Sequence, residues 1–193
     1  MIYLKYPSGV SITKTPKQKE LINYKNRGMN LEHDLNLTND YYREINRAVI
    51  YKKPTPIKIS KVDYSKNKIT EAFFASPSTT DYNGIYRKQY IDFEAKETTH
   101  VKSFPLANIH KHQLLHMKKI MEHGGICFLI VRFSRKGETF LLLAKDLFQW
   151  LEENEKSTIP YDFFLQKAYR ISDGYQPRLD YLKIIDQIYG GAK

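Results

Sequence analysis

Residues Ile91–Thr99 read IDFEAKETT, and apolar and charged side chains alternate from Ile91 to Lys96. Successive side chains of a β-strand point to opposite faces of the sheet. A strand here would have one apolar face suited to a core, formed by Ile91, Phe93 and Ala95. Its other face would bring together two carboxylates and an ammonium, those of Asp92, Glu94 and Lys96. Because a solvated strand can also carry such a face, the surrounding sequence decides whether these charges have a chemical role.

The residues before this stretch predict an antiparallel partner strand. STTDYNGIY and YIDFEAKE are joined by the short segment RKQ, a pattern typical of a β-hairpin. Closing the hairpin at RKQ brings Asp81 opposite Glu94 and Ala95, with Thr79 on the same face as Asp81. The hairpin therefore gathers two carboxylates, a threonine oxygen and the Lys96 ammonium at one end.

Two carboxylates held close together repel each other unless a positive charge lies between them. Mg²⁺ prefers oxygen ligands and keeps several waters, so Asp81, Glu94 and an oxygen of Thr79 would suit it. Lys96 is a compact charge that could hold a phosphate or stabilise a transition state. The pattern favours metal-assisted phosphodiester hydrolysis. The alternative is a lysine–carboxylate cluster on a solvated sheet face.

Composition narrows the classes of partner. The chain has 193 residues, which suits a single domain, and 41% of them are hydrophobic, which is enough for a core. Lysine and arginine number 31 against 21 acidic residues, so the net charge is +10. This excess favours a polyanionic partner, with nucleic acid the first choice and an anionic membrane surface the second.

No apolar run is long enough to cross a bilayer, and the basic, polar start does not resemble a secretory signal. The single cysteine, Cys127, lies in the apolar segment GICFLIV and is expected in the core of a cytoplasmic protein.

Periodicity along the chain predicts a single α/β domain with a mixed sheet. Residues 1–25 are expected to form a flexible basic arm. Residues 26–193 would form one domain, with a basic hairpin inserted at about 55–78. The predicted helices are 26–48, with apolar Leu31, Leu35, Tyr42 and Ile45, then 104–125, 145–155, 159–171 and 178–189. Beyond the two hairpins, the predicted strands are 48–54, 126–133 and 138–144.

An Asp followed by Glu-x-Lys resembles the loose signature of restriction-endonuclease-like nucleases. A more specific resemblance comes from seven segments, which match the RecU family of Holliday-junction resolvases in order from about Asn26 onward. These segments are NRGMNLEHDLNLTNDYY, KKPTPIKI, STTDYNGIY, YIDFEAKETT, SFPL, GICFLI and GYQPRLDYLKIID.

That resemblance implies a restriction-endonuclease-like α/β core, with a mixed β-sheet flanked by helices and a projecting β-hairpin stalk. It also implies a homodimeric, Mg²⁺-dependent endonuclease that resolves four-way DNA junctions by paired symmetric nicks during recombination and repair. Mn²⁺ is expected to substitute for Mg²⁺. Some family members modulate a recombinase, which makes a recombinase a candidate partner. The expected location is the cytoplasm, at the nucleoid.

The resemblance also implies roles for individual residues. The metal ligands would be Thr79, Asp81, Glu94 and Gln113, and Lys96 would stabilise the transition state. Glu32, on the first predicted helix, is a further catalytic candidate, although an exposed helix glutamate explains it equally well. Asp92 lies farther along its strand and is interpreted as a solvated residue.

The hairpin at 55–78 would correspond to the family's stalk. Its candidate DNA contacts are Lys58, Lys61, Lys66, Lys68 and Phe74. Phe73 and Phe74 could stack on bases or pack the stalk onto the body. Outside the stalk, Arg27, Lys52 and Lys53 are candidate phosphate contacts.

Three alternatives remain at this point. His112 and His116 are spaced i, i+4 with His110 nearby, which could bind zinc, although no third ligand is evident. A non-catalytic, architectural junction-binding protein would need the same charge and stalk. A nuclease of the same superfamily acting on linear duplex would need the same cluster of residues.

Overall fold

The computed structural model describes residues 31–75 and 79–190. The basic arm predicted for residues 1–25 and the candidate DNA contact Arg27 lie outside the described residues.

Within these ranges the chain alternates helices and strands. The helices are α1 (Leu31–Glu44), α2 (Lys111–Glu122), α3 (Ala144–Glu153), α4 (Tyr161–Lys167) and α5 (Tyr181–Tyr189), with a short 3₁₀ turn at Leu106–Asn108. The strands are β1 (Val49–Lys52), β2 (Ile57–Asp63), β3 (Lys68–Phe74), β4 (Tyr82–Tyr86), β5 (Gln89–Thr98), β6 (Ser103–Pro105), β7 (Ile126–Phe133), β8 (Glu138–Leu143), β9 (Thr158–Pro160) and β10 (Tyr169–Ile171).

The main sheet has six strands in the order β1-β4-β5-β7-β8-β10. β5 and β7 pair in parallel, whereas the remaining neighbours in this sheet pair antiparallel. The parallel pairing needs a long crossover connection, which β6 and α2 provide. β7 is apolar apart from Arg132 and is buried on both faces from Ile126 to Val131, as its run of apolar residues predicted.

Helices cover both faces of this sheet. On one face, α1 and α5 pack on a core that includes Leu35, Phe93 and Tyr181. On the other face, α2, α3 and α4 bury a second core that includes Met117 and Leu129. The polar face of β5 lies on this second side, beneath α2. The predicted mixed sheet flanked by helices is therefore confirmed.

The projecting hairpin is also confirmed. β2 and β3 form a separate two-stranded sheet, and most of their side chains are exposed. Their turn contains Asn67 in the left-handed region, with φ of 50°. Ile57 pairs with Phe74 at the base of the hairpin, so the two ends of this stalk (residues 57–74) lie side by side.

The β4–β5 hairpin sets the geometry of the candidate site. Its turn consists of Arg87 and Lys88, both with positive φ, as in the two-residue turns that match the twist of paired strands. Gly84 lets β1 lie close to β4, because a Cβ there would be 2.0 Å from the carbonyl oxygen of Val49. β4, which joins Asp81 to the turn before β5, is thus paired on both edges.

Several predicted element boundaries were wrong. The predicted helix 104–125 begins only at Lys111, since residues 103–105 pair with β9. Residues 159–171 are divided among β9, α4 and β10 rather than forming one helix. Ile45 lies beyond the end of α1 and is 49% exposed. Apolar spacing over such short stretches does not separate a helical turn from a short strand.

None of the helices in ranges 31–75 and 79–190 is long and apolar enough to cross a membrane.

Candidate active site

Asp81 and Glu94 lie side by side at the open end of the β4–β5 hairpin. Tyr82 pairs with Phe93, so the next pair along the ladder brings Asp81 opposite Glu94. The backbone amide of Ala95 donates a hydrogen bond of 3.1 Å to Oδ2 of Asp81. The structure therefore brings the two predicted acids together in the expected register.

Glu94 is fully buried, and its two carboxylate oxygens have different surroundings. Oε1 accepts a hydrogen bond of 2.7 Å from Nε2 of Gln113 and lies 2.7 Å from Nζ of Lys96. Oε2 is buried without a hydrogen-bond partner among the described residues. An ionised oxygen left in this state is costly unless a cation or water meets it.

The electrostatics of Glu94 reflect this position. Burial, followed by the nearby charge of Asp81, raises the pKa of Glu94 to about 8, while the Lys96 ammonium acts in the opposite direction. A divalent cation between the two carboxylates would offset both the burial and the repulsion. The orphaned Oε2 and the paired carboxylates thus fit a hard, oxygen-binding cation such as Mg²⁺.

No group of three or more His, Cys, Asp or Glu side chains is arranged to hold a metal in the part of the chain that the structure describes. A cation at Asp81 and Glu94 would therefore need neutral oxygens or water as its other ligands. Mg²⁺ commonly binds through one or two carboxylates and retains several waters.

Gln113 lies in the first turn of α2 and is buried. Its Oε1 accepts a hydrogen bond of 2.9 Å from the backbone amide of His110, at the start of the helix. Its Nε2 faces Glu94. The structure therefore places Gln113 at the site, but with its amide nitrogen rather than its oxygen toward the carboxylates.

Thr79 and Glu32 each contact a lysine at the end of β1 or just after it. The Thr79 hydroxyl is 3.0 Å from Nζ of Lys53. Glu32 extends from α1, on the opposite side of the sheet, and its Oε1 lies 2.5 Å from Nζ of Lys52. The structure thus pairs Glu32 with Lys52, whereas Lys96 pairs with Glu94.

The interpretation of Asp92 as a solvated residue was wrong, because Asp92 is fully buried. Its Oδ2 lies 2.7 Å from Nζ of Lys53, 3.0 Å from the Tyr90 hydroxyl and 3.2 Å from Nε2 of His116. The Thr80 hydroxyl donates to its Oδ1. We call these five residues the Asp92 cluster. One feature of the sequence could have indicated this burial. Asp92 lies between the core residues Ile91 and Phe93 on its strand, and the helix predicted after that strand could cover its other face.

The zinc alternative receives no support from the described residues, where His116 instead contacts Asp92. His110 and His112 stack on each other, with ring centroids 5.4 Å apart. Cys127 is buried in the second core, as predicted, and burial raises the pKa of its thiol.

The stalk presents its candidate DNA contacts to solvent. Phe74 is 83% exposed and Phe73 is 57% exposed, so neither is buried against the body. Lys61 pairs with Glu71 at 2.7 Å, on the neighbouring strand. The remaining candidate lysines of the stalk, which are also exposed, are Lys58, Lys66 and Lys68.

Comparison with known proteins identifies relatives of nearly full length. The family model described as Recombination protein U matches residues 26–187. A Holliday junction resolvase RecU from Geobacillus kaustophilus is 50% identical over 96% of this chain and 98% of its own length. A protein of the same name from Oceanobacillus iheyensis is 47% identical over 96% of this chain and 100% of its own.

Among solved structures, Archaeoglobus fulgidus Hjc, a Holliday junction resolvase, is similar with a TM-score of 0.39 and 11% identity. The similarity covers 66% of this chain and 88% of Hjc. The two structures are too different at that score for their residues to be matched.

Proposed function

The chain belongs to the RecU family, and from that premise we propose that it is a Mg²⁺-dependent endonuclease that resolves four-way DNA junctions. The observation that carries the proposal is the carboxylate pair of half-buried Asp81 and fully buried Glu94, with Lys96 2.7 Å from Glu94. Such a pair is a costly arrangement for a protein that only binds DNA. It is a useful one for a protein that holds a metal against a phosphodiester.

Asp81 and Glu94 would hold the cation, with Thr79 and Gln113 as the further candidate ligands. When bound, Mg²⁺ would supply Lewis-acid activation and neutralise charge on the phosphate. Mn²⁺, which also accepts carboxylate oxygens, is expected to substitute.

The side chains around the cation have separate tasks. Lys96 is 20% exposed, so its ammonium can face a phosphate while Glu94 keeps it oriented. It would stabilise negative charge that develops on the phosphate oxygens. The Ala95 amide orients Asp81 through its hydrogen bond. Glu32, the further catalytic candidate, pairs with Lys52 through its Oε1.

The substrate proposal rests on the stalk and on charge. An exposed ribbon with lysines and two exposed phenylalanines suits a junction centre, where phosphates crowd and base pairs end. A homodimer would present two sites related by a two-fold axis, which matches the pseudo-symmetry of a four-way junction and gives paired, symmetric nicks. A recombinase is a candidate further partner.

The proposed organisation is a basic arm at residues 1–25 and a single nuclease domain at residues 26–193, with the stalk inserted. The proposed location is the cytoplasm, at the nucleoid, where four-way junctions form.

The test is cleavage of a synthetic four-way junction with Mg²⁺, beside a linear duplex of matched sequence. Asp81→Asn removes one charge from the carboxylate pair, and Asp162→Asn, at an exposed position of α4, is its matched control. We expect paired nicks in the junction alone, abolished by Asp81→Asn and retained by Asp162→Asn.

Two results would contradict the proposal. Tight junction binding without metal-dependent nicks would indicate an architectural protein. Equal cleavage of the linear duplex would indicate a nuclease with a different substrate.

A further inference from the structure

Lys53 is bonded to each residue of the segment Thr79–Asp81. Its backbone amide donates a hydrogen bond of 2.7 Å to the carbonyl oxygen of Asp81. Its ammonium donates to the Thr79 hydroxyl at 3.0 Å and to the Thr80 hydroxyl at 2.6 Å. One residue therefore holds the main chain and the hydroxyls of the segment that leads into the candidate site.

The third contact of this ammonium is with a fully buried carboxylate. Nζ of Lys53 lies 2.7 Å from Oδ2 of Asp92, and the Lys53 side chain is 14% exposed. An ammonium group has three donors, and Thr79, Thr80 and Asp92 lie within 3.0 Å of Nζ, with Nε2 of His116 farther away at 3.5 Å. Lys53 is thus not available as a phosphate contact, the role considered for it from the sequence.

Asp92 is itself fixed from several directions. The Tyr90 hydroxyl and Nε2 of His116 lie 3.0 Å and 3.2 Å from its Oδ2, and the Thr80 hydroxyl donates to its Oδ1. Asp92 precedes Glu94 by two residues on β5, and His116 follows Gln113 by three residues on α2. The Asp92 cluster therefore links β5 and α2 to the segment 79–81.

These contacts connect the parts that would have to hold a cation. Thr79 and Asp81 come from the segment before β4, Glu94 from β5 and Gln113 from α2. Backbone pairing sets Asp81 against Glu94, but no ladder reaches Thr79, which precedes β4. The buried Lys53–Asp92 ion pair provides the missing link. A buried pair of this kind contributes little net stability, so its geometric role is the better explanation for it.

We propose that Lys53, anchored by Asp92, is a positioning residue that sets Thr79 and Asp81 at the distance from Glu94 that a divalent cation requires. This inference rests on the proposed metal-dependent function. It assigns Lys53, Thr80, Asp92 and His116 to support of the ligands, whereas the neighbouring Lys52 and the stalk lysines remain exposed cations.

The test compares four variants. Lys53→Met removes the ammonium, and Lys145→Met removes a lysine from an exposed position on α3 as its matched control. Thr80→Val removes the hydroxyl that bridges Lys53 and Asp92 but keeps the shape of the side chain. Thr80→Ser retains the hydroxyl and serves as the conservative rescue.

Four quantities are measured on the full chain. Mn²⁺ binding is followed by electron paramagnetic resonance in the absence of DNA, which does not depend on activity. Junction cleavage gives the Mg²⁺ concentration for half-maximal rate. Junction binding without metal and thermal melting report on the rest of the molecule.

Loss of a group that orients metal ligands typically weakens metal binding by about 10- to 100-fold. We therefore expect Lys53→Met and Thr80→Val to weaken Mn²⁺ binding by about tenfold or more and to raise the Mg²⁺ requirement in parallel. Thr80→Ser and Lys145→Met should resemble the wild type in both. Metal-free junction binding should be the same for Lys53→Met and Lys145→Met.

Each outcome bears on the inference. Wild-type Mn²⁺ affinity in Thr80→Val and Lys53→Met, in a protein that cuts junctions, would overturn the positioning role and leave the proposed function intact. A wild type that neither binds Mn²⁺ nor cuts would overturn both. If Lys53→Met does not fold, the isosteric Thr80→Val and its Thr80→Ser partner decide the question.

Discussion

Glu94 illustrates how a single residue links stability to chemistry. Its carboxylate is buried beside the cation Lys96 and the anion Asp81, and one of its oxygens has no partner among the described residues. The folded protein therefore favours the protonated form of Glu94 until a cation binds. Because a metal needs the ionised form, binding at neutral pH is expected to release a proton.

The sign of the effect on stability follows from the raised pKa. Glu94 has a pKa of about 8 in the folded protein against an ordinary value of 4.5. The contribution of Glu94 to the free energy of unfolding is therefore fully present below about pH 4.5 and is lost as the pH rises toward 8. Each pH unit in that range removes up to about 1.4 kcal/mol of unfolding free energy from the metal-free protein.

Glu94→Gln should remove this dependence, because the glutamine oxygen can still accept from Gln113 and Lys96 without carrying a charge. We expect the metal-free variant to exceed the wild type in melting temperature, by more at pH 8 than at pH 6, and to lose cleavage. Thermal melts in the presence of a chelator measure this effect. Glu122→Gln, at an exposed position of α2, is the matched control. Parallel pH profiles for wild type and Glu94→Gln would contradict the prediction.

Individual residues also show what the sequence could predict. The alternation of side chains and the short turn were enough to predict that Asp81 lies opposite Glu94, since strand pairing across a short turn follows from local geometry. Asp92 was misread because alternation assigns a face but not what covers that face. Its partners Lys53 and His116 lie 39 and 24 residues away in the chain. Contacts at such distances depend on how α2 and β1 pack, which no local pattern contains.

At the level of elements, the stalk was the easiest to predict and the crossover the hardest. β2 and β3 form a local hairpin that buries little, so alternation and a polar turn identified it. The connection from β5 to β7 was predicted as one long helix, whereas it contains β6, a 3₁₀ turn and α2. β6 exists because β9 pairs with it, and β9 is far away in sequence.

The stalk should be dispensable for folding. Because Ile57 pairs with Phe74, a Gly-Ser linker of about four residues can close the gap left by removing residues 57–74. We expect the unfolding free energy to change by less than about 1 kcal/mol, since these side chains are mostly exposed. Preference for a four-way junction over linear duplex should be lost.

Denaturant unfolding and competition binding measure the two effects. The point variant Phe74→Ala, with Tyr64→Ala at the exposed tip as its comparison, tests whether one aromatic side chain carries part of the preference. Undiminished junction preference in the deletion variant would show that the stalk does not select the substrate.

For the whole molecule, the dominant property is its positive charge of +10. Phosphate contacts by lysine and arginine release counterions from DNA, so affinity falls linearly with salt on a logarithmic scale. The number of phosphates contacted sets the slope. The sequence alone was enough for this expectation, because net charge does not depend on the fold.

Junction affinity should therefore fall by about 10³-fold or more between about 50 mM and 200 mM salt, as for proteins with six or more phosphate contacts. Replacing a stalk lysine such as Lys58 by Met should reduce the slope by about one, since one phosphate contact is lost. Fluorescence anisotropy over a salt series measures both. A nearly flat slope for the wild type would exclude a charge-driven interface.

The contacts between α1 and the segment preceding α5 also bear on how the chain is made. The Thr38 hydroxyl accepts from the backbone amide of Leu179, and the Tyr42 hydroxyl donates 2.7 Å to Asp180. The hydroxyls of Thr38 and Tyr42 on α1 therefore have hydrogen-bond partners that are synthesised about 140 residues later. In a ribosome-bound chain that ends before residue 179, the sheet that carries Asp81 and Glu94 lacks α5, which covers one of its faces. Cutting activity is accordingly expected to begin only after these residues have left the exit tunnel of the ribosome.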